Sequence, residues 1–235
     1  MIMPTEHVEV VLVHGAWADG SSWNAVTREL QSRGLHVVAA PIPMTSLPDD
    51  VRALERALER AKGPVVLGAH ACAGAVTSAV KNEHVRALVF INSLTPDLGE
   101  SVADIFYREQ PHPKAPQLAP GTDGVIWMPE ESFQSAFAHY ATPEQAALLA
   151  ATQRPIAVSC IQKKVPQPSW KTTPSWYLIA EEDRMIHPKT QRFLAERMGA
   201  RVRSAKVDHA PLVTDPRSVV DTLMEAIEEV RKSVK

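Results

Sequence analysis

Residues 65–74 read VVLGAHACAG, three apolar residues followed by six small residues and one histidine. The apolar run Val65–Leu67 predicts a short buried strand. The small side chains allow the chain to turn tightly before a helix that we predict from about Gly74 to Lys81. A strand, a tight turn and a helix in this order are typical of an open sheet that binds ligands beyond the carboxyl ends of its strands.

The same alternation of strand and helix continues on both sides of this stretch. Further strands are predicted at Val8–Val13, Leu35–Ala40, Ala87–Asn92, Ser175–Ala180 and Arg201–Val207. Further helices are predicted at residues 22–30, 49–63, 189–198 and 216–230. Apolar strands between amphipathic helices indicate a sheet covered on both faces. The predicted fold class is therefore α/β, with a mostly parallel central sheet flanked by helices.

Residues 95–174 break this alternation, because the segment is rich in proline. Short helices are predicted within it at Ser101–Glu109, Glu131–Ala138 and Pro143–Ala151. The order of strand and helix resumes at Ser175. We interpret residues 95–174 as a helical lid inserted into a single domain of residues 1–235.

Composition excludes several classes of protein. The chain has 235 residues, 45% of them hydrophobic and 22% charged, with a net charge of −2. It is neither a disordered chain nor a disulfide scaffold, and its charge gives no indication of a nucleic-acid or membrane partner. Residues 1–10 lack the basic start of a signal peptide, and the apolar run 65–76 is too short to span a bilayer. We expect a cytoplasmic protein with reduced thiols.

Residues that can carry chemistry directly follow four of the predicted strands. They are His14-Gly15-Ala16-Trp17, Gly68–Gly74, Glu181–Arg184 and Asp208–Pro211. Parallel strands place all four stretches at one edge of the sheet, where ligands bind. The sequence has no HxxxH or CxxC spacing, and Gly68–Gly74 lacks the Lys-Ser/Thr of a phosphate loop. We therefore expect neither a metal nor a cofactor.

These stretches together resemble the α/β-hydrolase family, in particular its small esterase and hydroxynitrile-lyase-like branch. The resemblance covers nearly the whole chain and extends to Trp23, Thr95–Asp97 and Trp176–Met198. It implies a nucleophile at a strand-to-helix elbow, followed along the chain by an acid and a histidine. Asp183 matches the acid and His209 matches the histidine.

The elbow departs from the family pattern, since Ala71 occupies the position of the nucleophilic serine. The resemblance implies that the backbone amides of Ala16 and Cys72 bind the oxyanion. It also places Ala71, His14 and Trp17, together with Ala16, among the substrate-binding residues. An alanine at this position is consistent with natural drift and with an engineered change to a serine enzyme, and one sequence does not separate the two.

The first functional hypothesis is a hydrolase of small or activated carboxylic esters that uses Cys72 as its nucleophile. A cysteine attacks as thiolate, and a neighbouring imidazole lowers its pKa. His209 would be the base, and Asp183 would orient it. The alternative is that Cys72 is a structural residue, a small hydrophobic side chain buried in the core.

Two alternatives need no nucleophile at residue 72. In one, His209 acts as the base on water or on substrate, as on the lyase side of the family. In the other, the chain binds a small ligand without turnover, because a fold does not determine a function. A homodimer is compatible with all three hypotheses.

Other side chains are weaker candidates. Glu182 is an alternative partner for His209, His139 and His187 are alternative bases, and Asp208 is expected to be exposed. Five aromatic residues are expected mostly to pack in the core or the lid, and some of them to line an apolar acyl pocket: Trp17, Phe106, Tyr107, Trp127 and Phe133.

Overall fold

The computed structural model describes residues 8–233, and a six-stranded sheet lies at its centre. The strands are β1 (Glu9–Val13), β2 (His36–Ala40), β3 (Val65–His70), β4 (Val85–Ile91), β5 (Val125–Ile126), β6 (Ile156–Ala157), β7 (Ser175–Ala180) and β8 (Arg201–Ala205). The central sheet has the order β2-β1-β3-β4-β7-β8, and each neighbouring pair in it is parallel. The predicted α/β fold class is confirmed.

Helices and helical turns connect the strands. They are α1 (Asn24–Ser32), α2 (Leu47–Leu58), α3 (Ala73–Ala79), α4 (Val102–Phe106), α5 (Glu130–Ser132), α6 (Pro143–Thr152), α7 (Val158–Gln162), α8 (Pro188–Arg197), α9 (Pro211–Thr214) and α10 (Pro216–Ser233). Short 3-10 turns lie at Gly20–Trp23 and Ser169–Lys171, and a π-helical turn lies at Phe133–Phe137. Across residues 8–233, the helices lack the combination of length and apolar character that crossing a membrane requires.

Both faces of the sheet are buried, which explains the continuous apolar strands. Along β1, Val10 and Leu12 belong to a hydrophobic cluster that contains Leu30 of α1 and Leu223 of α10. Their neighbours in sequence point to the opposite face, into a cluster formed with α2, α3, α8 and the segment between β4 and β7. Successive side chains of a strand point to opposite faces, so a sheet with two covered faces needs apolar residues at every position.

Strand β3 is three residues longer than predicted and ends directly at the elbow. Gly68 pairs with Leu12 of β1 on one side and with Val89 of β4 on the other. A Cβ atom on Gly68 would lie 2.9 Å from Leu12 Cδ2, so a larger residue here would require the ends of the Leu12 and Leu223 side chains to shift. The small residues that predicted a turn therefore continue the strand as far as His70.

The segment between β4 and β7 contains the three helical pieces that the sequence predicts, with shifted ends. The predicted Glu131–Ala138 helix is divided into α5 and the π-helical turn. The sequence did not predict α7 or the antiparallel pair of β5 and β6. Strands of two residues have no detectable periodicity.

Candidate active site

The elbow between β3 and α3 forces its apex residue, Ala71, into the left-handed region at φ +51°. Such a backbone costs an alanine roughly 1 kcal/mol or more, so the surrounding contacts must stabilise it. The Ala71 carbonyl accepts a hydrogen bond from the Leu94 amide at 2.9 Å. A Cβ on Gly15 would lie 2.9 Å from Ala71 Cβ, and one on Gly74 would lie 2.4 Å from the Leu94 oxygen. The elbow therefore has the predicted tight geometry, with a methyl group at its apex.

Asp183 and His209 form a buried pair at the carboxyl ends of β7 and β8. Nδ1 of His209 lies 3.0 Å and 3.1 Å from the two Asp183 carboxylate oxygens. The Met185 and Ile186 amides also donate to Oδ1, at 2.7 Å and 2.9 Å. Burial on its own would raise the pKa of Asp183, but the imidazole and the amides outweigh it and hold the pKa below its usual value. The predicted acid and histidine are thus brought together.

Two further side chains hold this pair, and sequence reasoning did not find either of them. Asn92 Nδ2 lies 3.0 Å from Asp183 Oδ2 and 3.0 Å from the His209 carbonyl oxygen. Gln191 Nε2 donates to the same Asp183 oxygen at 3.0 Å. Asn92 is the last residue of a predicted strand, at the edge of the sheet where ligands bind. That position could have identified it as a candidate site residue from the sequence. Gln191 lies inside a helix, and its place in the sequence gives no signal.

The second ring nitrogen of His209 is free to act on a ligand. The ring lines the apolar pocket. Across residues 8–233, the hydrogen bonds of this imidazole involve Nδ1 and leave Nε2 without a partner. His70 donates from Nε2 to the His209 carbonyl at 2.8 Å, and burial lowers the His70 pKa to about 3. His70 is therefore a neutral support for the His209 backbone.

Cys72 has different surroundings from those that the cysteine hypothesis requires. Its Sγ accepts a hydrogen bond from the Ala16 amide at 3.1 Å and, among the described residues, forms none with His209. Burial raises the pKa of the thiol to about 12, although the Ala16 and Cys72 amides counteract part of the shift. The expectation that His209 lowers this pKa is wrong for the described arrangement, because the thiol is bonded to the Ala16 amide and its burial raises the pKa.

The first loop connects the elbow to the inserted segment. Trp17 has φ +57°; its amide donates to the Arg154 carbonyl at 2.9 Å and its indole donates to the Ile126 carbonyl at 3.0 Å. These bonds aim the preceding amide, that of Ala16, at the sulfur atom. His14 is buried, bonds the Gly15 carbonyl through Nδ1 and lies away from the pocket lining. Of the predicted substrate-binding residues, Ala16, Trp17 and Ala71 line the pocket.

The pocket is a narrow, apolar cavity of about 60 Å³. Its walls come from the first loop, the elbow, the inserted segment and the loop after β7. The residues are Ala16, Trp17, Ala71, Cys72, Leu94, Val102, Ala103, Phe106, Tyr107, Leu118, Ile126, Ile156, Ile161, Met185, Ile186 and His209. Phe106 and Tyr107 line it as expected, whereas Phe133 and Trp127 lie elsewhere. An aspartate, glutamate, lysine or arginine is absent from this lining, so it suits an uncharged ligand.

The alternative candidates lie outside this pocket. Glu182, His139 and His187 line a separate cleft, and Glu182 accepts a hydrogen bond from the Tyr140 hydroxyl. Asp208 is buried, contrary to expectation, because its carboxylate accepts hydrogen bonds from the Tyr140 and Ala210 amides. The described residues contain no group of three or more His, Cys, Asp or Glu side chains arranged to hold a metal ion.

Comparison with known proteins places this geometry in context. The model of a family described as the alpha/beta hydrolase family matches residues 10–222. No curated protein sequence matches the chain significantly. A pyrethroid hydrolase from Sphingobium faniae is similar in structure, with a TM-score of 0.79, 20% identity and coverage of 96% of this chain and 98% of that chain.

Two esterase structures resemble this chain about as closely as the pyrethroid hydrolase does. A methylesterase from Arabidopsis gives a TM-score of 0.77 at 16% identity, covering 94% of this chain and 99% of that chain. Polyneuridine aldehyde esterase gives a TM-score of 0.75 at 19% identity, covering 93% of this chain and 98% of that chain. At these identities the likeness shows a shared fold.

Proposed function

The chain belongs to the alpha/beta hydrolase family, and from that premise we propose that it hydrolyses small, uncharged carboxylic esters with a water molecule that His209 activates. The observation that carries the proposal is a hydrogen-bonded Asp183–His209 pair at a pocket whose elbow apex is a methyl group. An alanine leaves empty the position that a serine hydroxyl would take. A water molecule there would lie between the base and the substrate.

The chemistry follows from the free nitrogen of His209. Nε2 takes a proton from water while the water oxygen bonds to the ester carbonyl carbon. Asp183 stabilises the imidazolium that forms, because its carboxylate lies 3.0 Å from Nδ1. The Ala16 amide donates to the oxyanion of the tetrahedral intermediate. The imidazolium then returns the proton to the alcohol oxygen as the carbon–oxygen bond breaks.

The substrate class follows from the pocket walls. A charged acyl or alcohol group would lose its hydration without gaining a partner, because the lining consists of apolar side chains, two aromatic residues with a polar atom, one thiol and one imidazole. The solved structures with this fold that are named as esterases and as a pyrethroid hydrolase support an ester substrate. Small esters fit the cavity of about 60 Å³ best.

Cys72 competes with the substrate for the Ala16 amide in this account. The sulfur accepts that N–H group at 3.1 Å, but sulfur is a weak acceptor and an oxyanion is a strong one. Rotation of the thiol would release the amide to the oxyanion. The thiol therefore occupies the oxyanion site in the free protein and takes no part in bond formation.

A second candidate keeps Cys72 as the nucleophile. The observation that favours it is the same hydrogen bond, since an amide that donates to the sulfur also stabilises a thiolate. Attack on an ester would form an acyl-thioester and release the alcohol, and water activated by His209 would then hydrolyse the thioester.

Intact-protein mass spectrometry separates these two routes. The protein is mixed with p-nitrophenyl acetate, nitrophenol release is followed, and samples are quenched before and after one turnover. We expect nitrophenol to accumulate without an acetyl adduct on the protein, and Cys72→Ala to behave in the same way. An acetyl group mapped to Cys72, absent in Cys72→Ala, would replace water attack with the thioester route. Absence of nitrophenol release, with tight binding of the ester, would favour a ligand-binding protein.

A further inference from the structure

Asn92 occupies the junction between the acid and the histidine. Its Nδ2 lies 3.0 Å from Asp183 Oδ2 and 3.0 Å from the His209 carbonyl oxygen. The same nitrogen also lies 3.2 Å from His209 Nδ1, which its own bond to Asp183 makes a donor. An amide nitrogen carries two N–H groups, and its two oxygen neighbours are both acceptors. The opposite orientation of the amide would place Oδ1 against the carboxylate, so the donor assignment follows from the charges. Asn92 thereby connects the loop after β7 to the loop after β8.

Asn92 carries two unfavourable features, a backbone in the left-handed region and an amide oxygen, Oδ1, that is buried without a partner among the described residues. The residue has φ +34° at the end of β4 and is fully buried. Its Oδ1 is buried without a hydrogen-bond partner among the described residues. An unsatisfied buried acceptor costs about 1–3 kcal/mol. Packing alone would not require such a side chain, whereas the two N–H donors explain it.

The other contacts show which partner depends on Asn92. The Asp183 carboxylate is also held by the Gln191 amide and by the Met185 and Ile186 backbone amides. The His209 carbonyl has one other donor, His70. Loss of the Asn92 amide would therefore leave Asp183 with three other donors, whereas the His209 carbonyl would keep a single donor, His70.

We propose that Asn92 is a positioning residue, which fixes His209 against Asp183 so that Nε2 points into the pocket. The expected effect of Asn92 on turnover rests on the proposed function, because it requires that His209 acts as the base. Its effect on the Asp183–His209 hydrogen bond is independent of any substrate. Asn92 is not itself part of the pocket lining, and its contact with that lining is through His209, so it acts through His209.

The test uses two substitutions of Asn92 and one control. Asn92→Gly accepts the positive φ and removes the amide, whereas Asn92→Asp keeps the shape and replaces both N–H donors with an oxygen. Ser93→Ala is the control, because within residues 8–233 the Ser93 hydroxyl bonds the Ala69 and Ile91 carbonyls at the same strand end and neither Asp183 nor His209. Circular dichroism establishes which variants fold.

Two measurements are made on each folded variant. One is kcat and KM for p-nitrophenyl acetate, and the other is the downfield proton NMR resonance of His209 Nδ1–H, assigned by its loss in His209→Ala. We expect both Asn92 variants to lower kcat about 10-fold to 100-fold with a nearly unchanged KM, because misplaced catalytic groups reduce rate more than binding. We also expect the resonance to shift or broaden in both variants and to stay in place in Ser93→Ala.

An unmoved resonance together with an unchanged kcat in either Asn92 variant would overturn the proposal. If the parent protein shows no esterase turnover, the proposed function fails, and the resonance alone decides the positioning role. A shifted resonance then supports it, and an unmoved resonance contradicts it.

Discussion

Ala71 presents a methyl group to a pocket that also contains the His209 ring and the Ala16 and Cys72 residues at the predicted oxyanion position. The family resemblance was sufficient to single out Ala71, Asp183 and His209, because Ala71 directly follows β3 and the other two lie in the loops after β7 and β8. The sequence could not reveal that the thiol of Cys72 points at an amide instead of an imidazole. That outcome depends on one side-chain rotation, which no spacing encodes.

Restoring a hydroxyl at the elbow should create a covalent serine site. Ala71→Ser adds one oxygen beside His209 on a backbone that is already in the elbow conformation at φ +51°. We expect this variant to react with diisopropyl fluorophosphate, giving one adduct on residue 71 by peptide mapping. The double variant with His209→Ala is the control and should remain unlabelled. An unlabelled but folded Ala71→Ser protein would show that the Asp183–His209 pair does not activate a group at the apex.

The elements of the sheet follow the sequence closely, and the differences have local causes. Strand Ser175–Ala180 has the predicted bounds. Strand β3 continues through Gly68, which pairs with Leu12 of β1 and Val89 of β4. Within the inserted segment, α7 and the β5–β6 pair are held by contacts to distant parts of the chain: the Ala157 amide donates to the Met44 carbonyl. Such contacts leave no periodic pattern in the sequence.

Helix α2 contains a buried carboxylate that should make stability depend on pH. Asp50 accepts a hydrogen bond from the Met44 amide at 2.6 Å and lies 3.6 Å from Cys160 Sγ of α7. Burial raises the pKa of Asp50 from 3.8 to about 6. The folded state therefore binds this proton more tightly than the unfolded state. Its contribution to stability is complete below pH 3.8 and is lost as the pH rises to about 6.

The neutral variant Asp50→Asn should show this dependence. It keeps an acceptor for the Met44 amide and lacks the titrating charge. We expect its free energy of unfolding, relative to the parent protein, to rise by about 1–2 kcal/mol between pH 5 and pH 8. Urea denaturation at the two pH values measures the difference. A difference that is the same at both values would mean that Asp50 does not titrate in this range.

At the scale of the whole molecule, the fold brings the first loop, the elbow and the loops that carry Asp183 and His209 to one edge of the sheet. The inserted segment covers that edge and bonds the Trp17 backbone, the Asp208 carboxylate and the Arg184 side chain. We propose that residues 95–174 act as a lid over the pocket. A homodimer stays a prediction from the family resemblance. The sequence motifs were enough to identify the family whose model matches residues 10–222.

The most direct test of the account is the ratio of kcat/KM for p-nitrophenyl acetate between the parent protein and two single variants, His209→Ala and Cys72→Ala. Loss of a general base should lower kcat/KM by about 100-fold or more in His209→Ala. Cys72→Ala should keep the parent value or exceed it, because the Ala16 amide is then free for the oxyanion. Loss of turnover in Cys72→Ala, or full activity in folded His209→Ala, would contradict the proposal that His209 activates water directly.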